Sequence, residues 1–179
     1  MKILGIAGSL RSGSYNRQLL QLAADNLPDG VELAVWEGLR DLPAFDEDEE
    51  SAPSLAVAGF RAAVADADAV LIATPEYNGS IPGALKNALD WGSRPRDTAA
   101  FRSMPVAVIG ASPGSFGGVW AQAETRKVLG LMGSRVVAGE LSVGKAHERL
   151  ADPDAELVDQ LRALIDVLID EAAARAEAA

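Results

Sequence analysis

Short apolar runs alternate with longer stretches of helical periodicity along the chain. Ile3 to Ala7 is uniformly apolar and predicts a buried strand over about 2–8. Leu19, Leu20, Ala23 and Leu27 then recur on one helical face, and Pro28-Asp29-Gly30 supplies the stop. Val31 to Trp36 predicts the second strand, and Val57, Phe60 and Val64 mark the helix after it. Strand three is expected at 69–74 and strand four at 105–110, with helices at about 82–92 and 118–132 around strand four. Arg135 to Ala138 makes strand five, and a closing helix from 154 to about 175 aligns Leu157, Leu161, Leu164 and Leu168. Strand and helix in strict alternation predict an α/β fold: a doubly wound, five-stranded parallel sheet with helices on both faces.

Chemistry concentrates where the apolar runs end. The first run leads into Gly8-Ser9-Leu10-Arg11-Ser12-Gly13-Ser14-Tyr15-Asn16, directly before a helix. The unpaired N–H groups and positive dipole end of a helix start favour an anion there. Hydroxyls at Ser9, Ser12 and Ser14, the Asn16 amide and the Arg11 guanidinium are donors suited to a terminal phosphate. The same residues also serve as a plain capped helix start. The loop has no lysine, which argues against a nucleoside-triphosphate P-loop, and its glycines do not form the G-x-G-x-x-G dinucleotide pattern.

The third run ends in Thr74-Pro75-Glu76-Tyr77-Asn78-Gly79-Ser80-Ile81-Pro82-Gly83. This stretch is rigid and polar, carries one flat aromatic, and lies at the strand end where open α/β sheets bind ligands. Its alternative is an ordinary turn with Pro82 opening the next helix. The fourth run leads into Ala111-Ser112-Pro113-Gly114-Ser115-Phe116-Gly117-Gly118, whose glycines allow close backbone approach to a ligand and equally suit a flexible crossover.

Taken together, G-S-L-R-S-G-S-Y-N-R at 8–17, P-E-Y-N-G-S-I-P-G-A-L-K-N-A-L-D-W at 75–91 and G-G-x-x-A-Q at 117–122 resemble the NADPH-dependent FMN reductase family. That resemblance implies a flavodoxin-like fold with strand order 2-1-3-4-5, which brings the first two loops together at the switch point. It implies that Ser9, Arg11, Ser14, Tyr15 and Asn16 hold the phosphate of FMN, that Pro75, Glu76, Tyr77 and Asn78 flank the isoalloxazine, and that Ser112, Gly114, Gly117 and Gly118 line its pyrimidine side. NADPH or NADH is the implied co-substrate, and a quinone, flavin, azo compound or oxidised metal the small-molecule acceptor. Relatives of this kind pair as dimers or tetramers. Many carry arginine where this chain has Trp120 and an aromatic where it has Ala123, so arginine-type tetramer contacts are expected to be absent and a homodimer to be the working unit. Trp120 is then a free apolar face or a core residue, and Trp91 an interface anchor or core.

Composition narrows the rest. The chain has 179 residues, enough to bury a core as one flavin-binding domain over 1–179. A net charge of −10 disfavours nucleic acid and anionic membrane surfaces as partners. There is no cysteine, so thiol redox chemistry and iron–sulfur clusters are excluded and electrons must pass through an organic cofactor. The single histidine, His147, lies outside all three loops, which leaves no place for a Ser-His-Asp triad. The acidic run Asp46 to Glu50 lacks a calcium-loop glycine and reads as a solvated loop. Ile3 to Ala7 is too short for an export signal, and the expected location is cytoplasmic. Two rivals to a reductase keep part of this picture: a flavodoxin-like electron carrier, and a non-catalytic flavin- or phosphate-binding module.

Overall fold

A computed structural model describes residues 1–178. Strands β1 (Lys2–Ala7), β2 (Glu32–Val35), β3 (Ala69–Thr74), β4 (Pro105–Ala111) and β5 (Arg135–Val136) form a parallel sheet in the order β2-β1-β3-β4-β5. Helices α1 (Tyr15–Ala24), α2 (Leu55–Ala65), α3 (Gly83–Gly92) and α4 (Val119–Leu131) follow β1 to β4 in turn, and a long helix, Ala155–Glu177, closes the chain.

The sheet is buried on both sides, which is why its central strands read as unbroken apolar runs instead of alternating ones. Ala69, Leu71 and Ala73 of β3 join Ala107, Ile109 and Ala111 of β4 in one core, beneath Leu19, Leu20 and Ala23 of α1 and Leu157, Leu161 and Leu168 of the closing helix. Val70, Ile72, Val106 and Val108 face the other way, against Val57, Phe60 and Val64 of α2 and Leu85, Leu89 and Trp91 of α3. The second core holds the buried aromatics. Trp91 is fully buried there, and its indole N–H donates to the Pro43 carbonyl at 2.9 Å, so it is core and not an interface anchor.

The fifth strand departs from expectation. It is broken: β5 ends at Val136, and a sixth strand, β6 (Leu141–Val143), pairs β4 again from Ile109 to Ala111. The register moves from Pro105 opposite Arg135 to Ile109 opposite Leu141, so two extra residues bulge out between the two halves. Arg126 of α4 fills the break, donating to the carbonyls of Val108 at 2.6 Å and Gly139 at 2.7 Å. Its burial holds the guanidinium below its ordinary pKa, with Glu140 opposing. The acidic run is also more than a solvated loop: Glu47 to Glu49 are exposed, but Arg94 reaches Glu50 at 3.4 Å and Glu47 at 3.7 Å.

Candidate cofactor site

Because β1 and β3 are neighbours while their following helices lie on opposite faces, the loops after them diverge from a common crevice. The Gly8 N–H donates to the Ala73 carbonyl at 2.8 Å, extending the β1–β3 ladder by one bond into the loops. Beyond it the Ser9 hydroxyl lies 3.4 Å from the Tyr77 hydroxyl. A cleft of about 300 Å³ opens here, walled by Ser9, Arg11, Ser14, Tyr15 and Asn16 from the first loop, Pro75, Glu76 and Tyr77 from the second, and Ala111, Ser112 and Pro113 from the third. A larger hollow of about 480 Å³ lies at the opposite sheet edge, among Arg94, Arg96, Arg102 and Leu131. The smaller cleft is the cofactor candidate, because strand C-terminal loops and a helix N-terminus converge on it.

Ser14 caps α1, its hydroxyl oxygen accepting the Arg17 N–H at 3.3 Å. Tyr15 and Asn16 are the first helical residues, so their backbone N–H groups have no acceptor within the helix and point toward its open end. Arg11 is exposed; its guanidinium donates to the Gly13 carbonyl at 2.6 Å and its Cζ stands 5.0 Å above the Tyr15 ring. The loop therefore offers two backbone donors, the Ser9 hydroxyl and one exposed cation to an anion. Behind it, Arg17 is bound by both nitrogens to Glu37, which holds that carboxylate below its ordinary range.

Asn16 departs from its expected role as a phosphate donor. Its side chain is buried, donating to the Ala111 carbonyl at 3.0 Å and accepting the Ala111 N–H at 2.9 Å. β3 ends at Thr74, opposite Gly110, so Ala111 lies one step past its neighbour strand. The Asn16 amide takes the place of the missing peptide and ties the first loop to the third. Any contact from Asn16 to an anion would come from its backbone.

In the second loop, Tyr77 and Ser80 exchange backbone hydrogen bonds, both at 3.2 Å, around Asn78 and Gly79, whose φ angles are 55° and 74°. Positive φ at both central residues defines the type I′ hairpin turn that Asn-Gly favours. Asn78 is thus an exposed turn residue and does not wall the cleft. Tyr77 is 52% exposed and presents its ring at the cleft mouth, while Pro75 is buried beneath.

Glu76 and Glu124 hold this loop in place. Helix α4 starts after Gly118, which has φ 78° and no side chain to cap it. The Glu76 carboxylate supplies the cap from 44 residues away, accepting the N–H of Trp120 at 3.1 Å and of Ala121 at 3.2 Å. Glu124, which no motif in the sequence marks, accepts the Ser80 hydroxyl at 2.6 Å and the Ile81 N–H at 3.2 Å. Those two bonds, the hydroxyl first, hold its carboxyl below the ordinary range. A carboxylate favoured in this way stabilises the hairpin fully above the usual value of about 4.3, and the contribution disappears as pH falls through the lowered value. Protection of the Ile81 amide from hydrogen exchange, corrected for intrinsic rates, should drop in acid for the wild type and stay flat with pH in Glu124→Gln. The same acid profile in both would show that another group governs the hairpin.

Gly114, Gly117 and Gly118, expected along the pyrimidine side, do not wall the cleft; Ser112 does. Gly114 is an exposed loop residue whose carbonyl accepts the Lys145 N–H at 2.9 Å. Gly117 and Gly118 are buried packing points. A Cβ on Gly117 would sit 2.5 Å from the Val143 nitrogen, and one on Gly118 3.3 Å from the Thr74 carbonyl oxygen. Trp120, next along α4, is 52% exposed, which rules out the core alternative.

The donors present fit FMN: a helix start with a serine and an arginine for a singly attached phosphate, then the flat surfaces of Pro75, Tyr15 and Tyr77 for a ring system. Comparison with known proteins agrees. The sequence profile of the NADPH-dependent FMN reductase family matches residues 1–148. The chain is 45% identical over 130 residues to an NAD(P)H-dependent FMN reductase of Pseudomonas aeruginosa, covering 72% of this chain and 69% of the relative. It is 38% identical over 168 residues to a quinone reductase of Pseudomonas putida, covering 93% and 89%. Among solved structures, the flavoenzyme FerB of Paracoccus denitrificans, an NAD(P)H:(acceptor) oxidoreductase, superposes with a TM-score of 0.87 at 29% identity, covering 96% of each chain. With three loops meeting at the switch point and these likenesses over most of its length, the chain belongs to the NADPH-dependent FMN reductase family and is an FMN-dependent NAD(P)H oxidoreductase.

Proposed function

We propose that this oxidoreductase transfers two electrons from NADPH or NADH to a quinone or a free flavin through FMN bound in the cleft between the loops after β1, β3 and β4. The observation that carries the reading is the convergence of Ser9, Arg11, Tyr77 and the α1 N-terminus on one crevice. With a quinone the balance is NAD(P)H, a proton and quinone giving NAD(P)⁺ and hydroquinone. FMN, when bound, supplies the hydride acceptor and donor.

The chain's own part is positional. Arg11, Ser9 and the backbone N–H groups of Tyr15 and Asn16 bind the phosphate; Ser14 and Asn16 fix the helix start that aims those groups. Pro75 and Tyr77 support the ring system, and Glu76 and Glu124 keep their loop seated on α4. Ser112 and the backbone of the third loop face the remaining edge. No carboxylate pair is required, and none of these residues is assigned a proton-transfer role.

The working unit is a homodimer in this reading, and residues 1–179 act as a single FMN-binding domain located in the cytoplasm. Among the described residues no helix is long and apolar enough to cross a membrane. Since one cleft serves donor and acceptor in turn in this reading, oxidised nicotinamide leaves before the acceptor enters. Double-reciprocal plots at several fixed acceptor concentrations should be parallel. Intersecting lines would mean that both substrates are held together and would contradict a shared site.

A further inference from the structure

We propose that Phe116 and Trp120 form a stacking platform that selects extended, uncharged, apolar acceptors of the naphthoquinone class. The proposal rests on the oxidoreductase reading above. Phe116 is 64% exposed and Trp120 52%, although each is a large aromatic, and their ring centroids are 5.0 Å apart at 58°. Two adjacent aromatic rings left in solvent make an apolar surface that gains by being covered.

The pair's position connects it to the cleft. The Trp120 N–H bonds at 3.1 Å to Glu76, which itself walls the cleft, and Gly118 packs within Cβ contact of the Thr74 carbonyl. The platform therefore adjoins the cleft wall at Glu76. Its charge character separates the candidate occupants. The nearby Glu76 carboxylate already accepts two backbone N–H groups, and no cation pairs with either ring among the described residues. The Glu76 carboxylate beside the Trp120 N–H opposes the phosphates of a nicotinamide nucleotide, whereas a flat neutral quinone needs only the rings.

The test measures kcat/KM of FMN-loaded wild type, Trp120→Ala, Phe116→Ala and Trp120→Phe at saturating NADPH. The acceptors are 2-methyl-1,4-naphthoquinone and the small hydrophilic ferricyanide. Each alanine variant should lose about tenfold with the naphthoquinone, Trp120→Phe should recover most of it, and ferricyanide should stay within about twofold. Flavin content and light-scattering mass should not move. An unchanged naphthoquinone value overturns the platform, as does an equal loss with both acceptors accompanied by a change in mass, which would make the pair a subunit contact. Failure of the wild type to reduce ferricyanide at all would instead strike the oxidoreductase reading itself.

Discussion

Replacing Asn16 with leucine is expected to destabilise the protein by about 2–5 kcal/mol, because it strips partners from two buried backbone groups. Ala111 is 2% exposed, and on the side where Asn16 satisfies its N–H and carbonyl no strand remains once β3 has ended, β6 pairing on the other side. For a chain of this length that is a fall in melting temperature of roughly 5–15 °C. Asn16→Asp is the sharper test, since a carboxylate can still accept the Ala111 N–H but faces the Ala111 carbonyl with another acceptor. It should be at least as unstable as the leucine variant, and FMN should weaken in both because the first and third loops are no longer tied. If Asn16→Asp melts with the wild type while FMN affinity falls, the side chain contacts the phosphate directly and the structural role assigned here is wrong.

Arg11→Ala should leave melting temperature nearly unchanged and weaken FMN by about ten- to hundredfold, the loss of one charge-assisted contact of about 1.5–3 kcal/mol. The contrast with Asn16 follows from exposure: the Arg11 side chain makes one hydrogen bond, to Gly13, and one ring contact with Tyr15, both at the surface. Riboflavin lacks the phosphate and should bind the variant as it binds the wild type. Titrating apoprotein with both flavins checks this. Equal FMN affinity in the two proteins would remove Arg11 from the phosphate site.

The two residues also mark how far the sequence could be read. Arg11 and Asn16 stand five positions apart in one motif and look like two donors to the same phosphate. Nothing local reveals that one amide is turned inward to pair with the backbone of a residue 95 positions away. The same limit applies to Glu76: its carboxylate is legible as a residue of the second loop, but its partner is a helix start 44 positions on. A signal for it did exist, since α4 begins on glycines with no side chain to cap it, and such a start needs an acceptor from elsewhere. Glu124 gave no comparable sign.

The strands were easier. Runs such as Ala69 to Ala73 are buried on both faces and cannot be mistaken for surface helix, so β1, β3 and β4 emerge close to their final bounds. The edge is where periodicity fails. β5 and β6 are two and three residues long and paired on one side only; the first is legible as a strand at 135–138, whereas Gly139 interrupts the pattern and β6 builds no run of its own. The break depends on Arg126 reaching across it from α4, a contact between segments that no local pattern encodes.

On this mechanism FMN in the cleft passes electrons from a nicotinamide. Anaerobic titration of the FMN-loaded protein with NADPH, and separately with NADH, tests it directly by the visible flavin absorbance. At least one donor should bleach the flavin stoichiometrically, and adding a quinone without oxygen should restore the colour. A flavin that stays yellow with both donors but is reduced by dithionite would contradict it and identify an electron carrier.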